Sequence, residues 1–173
     1  MLTIGSAVRA ASTTDVPVLI ELMRALAAFE DYLNDFRVDE QSLLERAFGP
    51  TAQCQVFVAQ WLGQVVGYAV LLEIPFTYDL RPTLLLKELY VADDYRSKGL
   101  GQKLLQHVAI WARARGAGRL KWDVLTGNHP AMKFYERLGG TQDKKWMAYQ
   151  LDSHGIEQLA ASLQSVGCDT PTL

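Results

Sequence analysis

A glycine-containing loop between a predicted strand and a predicted helix constrains this chain most. Residues 84–91 are rich in apolar side chains and predict a strand, and apolar residues recur at helical spacing over residues 100–116. Between them, residues 96–101 read Arg-Ser-Lys-Gly-Leu-Gly. The first backbone N–H groups of a helix have no partner, and glycine lets a ligand approach the backbone closely. The pattern indicates an α/β fold with an anion site, favouring a pyrophosphate, to which Arg96 and Lys98 add positive charge.

The loop does not have the spacing of two common phosphate-binding motifs. A P-loop needs GxxxxGK followed by Ser or Thr, and a dinucleotide fold needs GxGxxG near its first strand. The sequence contains neither motif. Nucleotide hydrolysis and hydride transfer are therefore disfavoured, and a tight strand-to-helix connection is the alternative interpretation of the loop.

The remaining apolar patterns predict alternating strands and helices. Strands are predicted over residues 4–10, 55–61, 65–74, 84–91, 120–125 and 146–151, and helices over about 17–33, 40–48, 100–116, 130–139 and 156–166. The strands at 55–61 and 65–74 are expected to form an antiparallel hairpin. The strand at 120–125 is expected to lie parallel to 84–91 through a helical crossover. Because no repeat or linker interrupts the pattern, we expect one α/β domain, residues 1–173, on a mixed sheet.

The net charge of −2 conceals a sorting of charge along the chain. Residues 1–95 carry a net charge of −7, residues 96–150 carry +8, and residues 151–173 carry −3. This distribution predicts two partners of opposite charge, and ordinary solvated faces are the alternative.

The cysteines and the apolar runs indicate the compartment. Cys54 and Cys168 belong to no CxxC motif or Cys/His cluster, which favours a reducing environment and argues against structural zinc. The first ten residues contain no apolar run typical of a signal peptide, and no apolar stretch is long enough to span a membrane. We expect a cytoplasmic protein without a metal, a membrane partner or a nucleic-acid partner.

A second motif makes the pattern specific. Residues 128–139 read N-x-x-A-x-x-F-Y-x-x-x-G, and together with R-x-x-G-x-G at 96–101 this resembles the GCN5-related N-acetyltransferase (GNAT) superfamily over nearly the whole chain. Residues 75–79, 87–91 and 94–96 are similar to the diamine (spermidine/spermine) acetyltransferases and their bacterial relatives. The resemblance implies a mixed sheet with helices on both faces, a splayed parallel strand pair and a homodimer.

The resemblance also implies a reaction, in which an amine attacks the thioester of acetyl-CoA and a thiolate is expelled. Tyr135 takes the position of the general acid that protonates the thiolate, although a core aromatic pair with Phe134 is the alternative. Glu88 is the candidate base or ammonium partner, with a solvated strand carboxylate as the alternative. The implied cofactor-binding residues are Leu89, Tyr90, Val91, Arg96, Ser97, Lys98, Gly99, Leu100, Gly101, Asn128 and Lys133, and the implied substrate-binding residues are Glu30, Asp31 and Glu88.

The acceptor is the least determined part of the resemblance. Polyamine acetylases of this type carry adjacent carboxylates on the central strand, whereas this chain has Lys87 before Glu88. A polyamine, a monoamine, a lysine-like amine and an aminoglycoside-type amine stay open, with a small cationic amine expected. The alternatives are a non-catalytic acyl-CoA-binding regulatory module and an enzyme that acetylates protein N-termini or lysines.

Overall fold

A five-stranded mixed sheet is the centre of the first of two compact units, Met1–Phe134. The computed structural model of the chain describes residues 5–164. The strands are β1 (Ser6–Ala10), β2 (Gln55–Trp61), β3 (Gln64–Ile74), β4 (Thr83–Val91) and β5 (Arg119–Lys121), in the spatial order β1-β2-β3-β4-β5. The first four strands pair in antiparallel fashion, and β4 and β5 pair in parallel. The predicted mixed α/β sheet is confirmed.

The described part of the chain contains five α-helices. They are α1 (Val16–Phe29), α2 (Glu40–Leu43), α3 (Leu100–Ala114), α4 (His129–Arg137) and α5 (Ser153–Gln164). A π-helical turn, Leu44–Phe48, continues α2. Short 3-10 turns occur at Thr13–Asp15, Leu33–Asp35 and Asp93–Tyr95.

The two faces of the sheet are covered by different helices. On one face, α1 contributes Leu19 and Leu26 to a core that also contains Val58 and Tyr68 of the sheet. On the other face, the ring of Phe57 packs against His107 and Trp111 of α3. Successive strand residues point to opposite faces, so the apolar runs of β2 and β3 supply both cores. Helices therefore cover both faces, as predicted.

Side-chain caps fix the 3-10 turn that precedes α1 and the start of α2. Asp15 accepts hydrogen bonds from the backbone N–H and the hydroxyl of Ser12, at 2.7 and 2.9 Å. Asp39 accepts a hydrogen bond of 2.8 Å from the backbone N–H of Ser42. These contacts satisfy N–H groups that a helix start otherwise leaves unpaired.

The first helix ends earlier than predicted. It stops at Phe29, and Asp31 takes a positive φ of 61° that ends the helical path. Phe29, the last residue of the helix, is 49% exposed, and its ring lies beneath the Arg96 guanidinium.

Two predicted strands are corrected by the structure. The strand predicted at 120–125 is only Arg119–Lys121, because its pairing with β4 ends at Lys121. The strand predicted at 146–151 does not form, and the side chains of Trp146, Met147 and Tyr149 are exposed. Apolar and aromatic residues favour a strand only where a neighbouring strand is available, so this pattern was not sufficient.

The second compact unit, Tyr135–Leu173, contains the end of α4 and helix α5. The backbone carbonyl of Tyr135 accepts hydrogen bonds from the N–H groups of Leu138 and Gly140, which close the end of α4. Asp152 caps α5 by accepting a hydrogen bond of 2.8 Å from the N–H of Gly155. The predicted extension of this helix to residue 166 lies outside the described residues.

Within residues 5–164 there is no helix with the length and apolar character needed to cross a membrane.

Candidate active site

A β-bulge in β4 decides where Glu88 points. In the pairing of β3 with β4, Val70 lies opposite Glu88 while Leu71 lies opposite Leu86, so Lys87 is the extra residue. Glu88 and Leu86 would share a face in a regular strand, but the bulge places them on opposite faces. Glu88 therefore lies on the α1 side of the sheet, and the side chain of Lys87 is exposed.

Glu88 is held by a buried tyrosine of the neighbouring strand. The hydroxyl of Tyr68 donates a hydrogen bond of 2.6 Å to Oε2 of Glu88. Tyr68 has no exposed surface and packs in the core beside α1. A carboxylate held by a fully buried donor has a fixed orientation, which a proton acceptor at a reaction centre requires.

Burial dominates the electrostatics around Glu88. It raises the pKa of the Glu88 carboxyl, and the negative charge of Glu30 adds to this increase, whereas the Tyr68 hydrogen bond and the positive charge of Lys87 oppose it. Burial also raises the pKa of Tyr32 to about 12, with Glu88 and Glu30 as further causes. The pKa of Tyr68 is raised by burial and then by the charge and hydrogen bond of Glu88. Both phenols therefore stay protonated at neutral pH.

Of the two predicted acidic residues at the end of α1, only Glu30 affects the pKa values of Glu88 and the two tyrosines near it. Glu30 directly follows α1 and influences the pKa values of Glu88, Tyr32 and Tyr68, so it belongs to the same electrostatic neighbourhood. Asp31 is exposed at the same helix end. The structure thus places Glu30 close enough to Glu88 to raise its pKa, and it shows no such influence of Asp31.

Glu88 lines a cavity of about 360 Å³ on the α1 side of the sheet. Its inner wall is apolar and includes the buried residues Met23, Leu43, Val56 and Val70. The rest of its lining is Arg37, Val38, Ser42, Arg46, Gln53, Cys54, Leu72 and Glu88. Such a volume is in the range that accommodates a small organic molecule.

The parallel strands β4 and β5 separate after a short pairing. Thr83, Leu84 and Leu85 pair with residues of β5, and no described strand pairs with β4 beyond Leu85 on that side. Leu89, Tyr90 and Val91 follow on the open part of β4 and pair with β3 on its other side. A strand edge without a partner can hydrogen-bond an extended ligand.

The glycine loop forms the connection from β4 to α3. Ser97 has φ 61° and Gly99 has φ 79°, and α3 begins at Leu100. Within the described residues, no protein acceptor receives a hydrogen bond from the backbone N–H groups of residues 97–102. A run of free N–H donors at the start of a helix favours an anion.

The two basic side chains of the loop bind the protein itself. Arg96 donates to the carbonyl of Val91 at 3.0 Å and pairs with Asp93 at 2.6 Å. Lys98 donates to the carbonyl of Asp94 at 2.9 Å. These contacts shape the loop, and the binding of an anion by its main chain stays a prediction.

Three further predicted site residues lie at α4. Asn128 accepts a hydrogen bond of 3.2 Å from the N–H of Ala131 through Oδ1, which makes it a helix cap. Lys133 is exposed on α4, and Tyr135 is half-buried in the same helix. Their assignment to cofactor binding and catalysis stays a prediction.

Sequence reasoning missed the surroundings of Glu88. Tyr68 was indistinguishable from a core residue of an apolar strand, and Tyr32, Arg37 and Arg46 lie in segments without a recognisable motif. The bulge could not be predicted from the sequence either, since Lys87 and Glu88 are equally compatible with a regular strand and with a bulged one. Within residues 5–164, no group of three or more His, Cys, Asp or Glu side chains is arranged to hold a metal ion.

Comparison with known proteins identifies the family of this chain. A model of the acetyltransferase (GNAT) family matches residues 25–140. The chain is 29% identical over 164 residues to thialysine N-epsilon-acetyltransferase of Bos taurus, covering 88% of this chain and 96% of the relative. It is 32% identical over 164 residues to N-alpha-acetyltransferase of Sulfurisphaera tokodaii, covering 90% of this chain and 92% of the relative.

A solved structure has the same fold. An integron cassette protein from the mobile metagenome of V. cholerae superposes with a TM-score of 0.72 at 25% identity, covering 91% of this chain and 98% of that protein. The family match at residues 25–140 spans more than half of the chain and includes both predicted motifs. The chain therefore belongs to the acetyltransferase (GNAT) family and is an N-acetyltransferase.

Proposed function

We propose that this enzyme transfers the acetyl group of acetyl-CoA to a primary amine of a small cationic acceptor, diamine-like or lysine-like, by direct attack in a ternary complex. The observation that carries the proposal is the combination of two features of one sheet. Glu88 lines a cavity with an apolar inner wall, and the free N–H groups of residues 97–102 follow the same strand. The first feature suits a cationic amine, and the second suits the pyrophosphate of coenzyme A.

The loop residues fit the anionic cosubstrate. Ser97, Lys98, Gly99, Leu100 and Gly101 bind the pyrophosphate through the main chain, and Arg96 keeps the loop in shape by its contacts to Val91 and Asp93. Leu89, Tyr90 and Val91 offer the open edge of β4 to the pantetheine arm and the acyl oxygen. Asn128 and Lys133 complete the proposed cosubstrate site from α4.

Glu88 receives the proton of the acceptor. The acceptor arrives as an ammonium ion that pairs with Glu88 and with the acidic end of α1, Glu30 and Asp31. It loses a proton to Glu88, directly or through water, and its nitrogen lone pair then forms the C–N bond. The raised pKa of Glu88 brings this carboxyl closer to the working pH, which favours proton transfer in both directions.

Tyr135 supplies the proton that leaves with the thiol. The motif at residues 128–139 supports this assignment. As the C–S bond breaks, the phenol protonates the sulfur. The acetylated nitrogen loses its second proton to water, and exchange with water then reprotonates the Tyr135 phenolate and removes the proton held by Glu88. A phenol with an ordinary pKa of about 10 is protonated at neutral pH and so has a proton to give.

An acceptor screen tests the function. Acetyl-CoA is incubated with diamines, basic amino acids, aminoglycosides and peptides with free N-termini, and released thiol is measured. Turnover of small amines is expected. Turnover of peptides alone would favour a protein N-terminal or lysine acetyltransferase, a possibility raised by the similarity to an N-alpha-acetyltransferase. Binding of acetyl-CoA without turnover of any acceptor would favour a regulatory module.

Tyr135→Phe tests the general acid. We expect kcat to fall about a hundredfold, because one proton-transfer group typically contributes a factor of about a hundred to ten thousand. Affinity for coenzyme A, measured by calorimetry, is expected to stay unchanged. Phe134→Leu serves as the control for packing of the aromatic pair, and an unchanged kcat in Tyr135→Phe would remove Tyr135 from the mechanism.

A further inference from the structure

Arg96 connects the glycine loop to the side of the sheet that carries Glu88. The loop leads into α3, which covers the opposite face of the sheet. The central carbon of the Arg96 guanidinium nevertheless lies over two rings on the α1 side, 5.4 Å from the ring centroid of Phe29 and 5.6 Å from that of Tyr90. Both distances are within the range of a cation–π contact. One side chain of the loop therefore contacts both α1 and β4.

Hydrogen bonds hold Arg96 over these rings. Its Nε donates to the carbonyl of Val91 at 3.0 Å, and an amino group of the guanidinium pairs with Asp93 at 2.6 Å. A planar guanidinium that is fixed at two of its nitrogens loses little further freedom when it stacks on a ring. Val91 also belongs to the open edge of β4, so Arg96 contacts the strand that the proposed cosubstrate site uses.

Packed aromatic rings lead from Arg96 to Glu88. The ring centroids of Tyr90 and Tyr68 are 6.3 Å apart, and Tyr68 donates the 2.6 Å hydrogen bond to Glu88. Both tyrosines are buried members of the core beside α1, so neither ring can move without displacing its neighbours. A continuous series of contacts of this kind can transmit coupling between two sites.

The other ring beneath Arg96 lies at the end of α1. Phe29 is the last residue of this helix, and Glu30 follows it directly. Glu30 forms no salt bridge among residues 5–164, although its charge acts on Glu88. The position of this carboxylate therefore follows the end of the helix, to which Arg96 is joined through Phe29.

Lys98, the other basic side chain of the loop, contacts a different part of the protein. Its ammonium lies over the rings of Trp61 and Tyr95, at 5.2 and 5.0 Å, and donates to the carbonyl of Asp94. Trp61 ends β2, and Tyr95 ends the 3-10 turn before the loop. The two cations of one loop thus differ in their contacts, which provides a matched control.

We propose that Arg96 is a positioning residue of the acceptor site, which couples the glycine loop to Tyr90 and to the end of α1, so that coenzyme A and the amine strengthen each other's binding. A pyrophosphate on the N–H groups of residues 97–102 restricts the backbone next to Arg96. The contacts of Arg96 with Phe29 and Tyr90 then cost less entropy, so the side chains around Glu88 are already ordered when the amine binds. The inference rests on the proposed function and adds to it a dependence of amine binding on coenzyme A.

Calorimetry measures the coupling. The Kd of 1,5-diaminopentane is determined with and without saturating coenzyme A, which lacks the acetyl group and so allows no turnover. We expect coenzyme A to lower this Kd about fivefold or more in wild type, because coupling between two sites typically has at least this size. In Arg96→Gln the two Kd values are expected to be equal. Lys98→Gln can weaken coenzyme A binding, but the ratio of the two Kd values is expected to stay as in wild type.

A double-mutant cycle tests the contact with α1. Phe29→Leu keeps an apolar side chain but removes the aromatic face, so it should lower the ratio of Kd values. In combination with Arg96→Gln it should lower the ratio no further, because the two residues act through one contact. Phe36→Leu is the matched control, since the guanidinium of Arg24 lies over the Phe36 ring at 5.3 Å. It is expected to leave the ratio unchanged.

A spectroscopic measurement tests the coupling without an amine. The protein is labelled with 3-fluorotyrosine, and the fluorine resonance of Tyr68 is assigned by its loss in Tyr68→Phe. Tyr68 has no exposed surface, so coenzyme A affects it only through other residues. Saturating coenzyme A is expected to shift this resonance in wild type and in Lys98→Gln, but not in Arg96→Gln.

The outcomes are distinguishable. A shift of the Tyr68 resonance that requires Arg96, without binding or turnover of the diamine, would support the coupling while the proposed acceptor fails. Turnover of small amines with the same Kd ratio and the same Tyr68 shift in wild type and Arg96→Gln would overturn the coupling while the proposed function stands. A diamine Kd in wild type that does not respond to coenzyme A would also overturn it. So would an effect of Arg96→Gln on the Kd of coenzyme A alone, which would limit Arg96 to shaping the loop.

Discussion

At the scale of single residues, the Tyr68–Glu88 hydrogen bond is the contact most specific to the candidate site. The two largest causes of the pKa shift of Glu88 act in opposite directions. Burial raises the pKa of its carboxyl, and the hydrogen bond from Tyr68 lowers it. Because the Tyr68 hydrogen bond is the largest cause that lowers the pKa of Glu88, its loss should raise that pKa further. The buried tyrosine is therefore a positioning residue for the proposed base.

Tyr68→Phe tests this balance. Removal of the hydroxyl leaves the charged carboxylate without its donor, so the pKa of Glu88 rises further and the ionised form exists only at higher pH. The acidic limb of the kcat/KM profile should move to higher pH, with a loss of about tenfold on that limb. Tyr149→Phe, at an exposed tyrosine, is the control. An unshifted limb would contradict a role for Tyr68 in setting the proton affinity of Glu88.

At the scale of elements, the 3-10 turn that leads into α1 depends on one partly buried ion pair. Arg9 of β1 donates to both oxygens of Asp15, at 2.7 and 2.8 Å, and Ser12 donates twice to the same carboxylate. The Arg9 hydrogen bond is the largest cause that lowers the pKa of Asp15 from 3.8 to about 2, and burial opposes it. The pair thereby joins the first strand to the first helix.

Acid unfolding tests the Asp15 contacts. Because the folded pKa lies below the unfolded value, the stabilisation is complete above about pH 4 and is lost as the pH falls toward about 2. It amounts to about 2 kcal/mol at neutral pH. Asp15→Asn should lower the free energy of unfolding at pH 7 by this amount. It should also make that free energy less dependent on pH between about 4 and about 2. Both effects are measured by urea unfolding. Glu157→Gln, at an exposed carboxylate of α5, should leave the acid dependence unchanged.

The loop before α3 is the second element whose geometry can be tested. Gly99 has a φ of 79° with open space around it, as does Gly63, with a φ of 84°, in the turn between β2 and β3. An alanine at such a φ costs roughly 1 kcal/mol of stability at either position. Only Gly99→Ala is expected to disturb the free N–H groups, with Kd for coenzyme A rising about tenfold by calorimetry. Equal Kd values for Gly99→Ala and Gly63→Ala would contradict main-chain binding of the pyrophosphate.

At the scale of the whole molecule, the predicted homodimer follows from the resemblance. Phe76 is 88% exposed in the loop between β3 and β4, and Leu80 of the same loop is also exposed. Apolar side chains of this size on a surface loop favour contact with a second chain. Sedimentation equilibrium is expected to give twice the mass of one chain, and Phe76→Asp is expected to lower that mass toward one chain. A single-chain mass for wild type at all concentrations would contradict the dimer.

The sequence by itself determined the features that depend on local pattern. The order of strands and helices through α4 and the glycine loop at residues 96–101 follow from the spacing and the local propensities of neighbouring residues. The motif at residues 128–139 indicated the family, which the match over residues 25–140 confirms. Each of these features is a relation between residues that are close in the chain.

The tertiary structure decided the features that depend on register and on partners. The bulge at Lys87 turned Glu88 to the α1 face, and the pairing of β3 with β4 brought Tyr68 to it from twenty positions away in the chain. Residues 146–151 have a strand-like pattern but pair with no neighbouring strand among the described residues. Arg37 and Arg46 share a cavity with Glu88 although no motif relates them. A strand needs a neighbour and a site needs residues from separate elements, so only packing could decide these features.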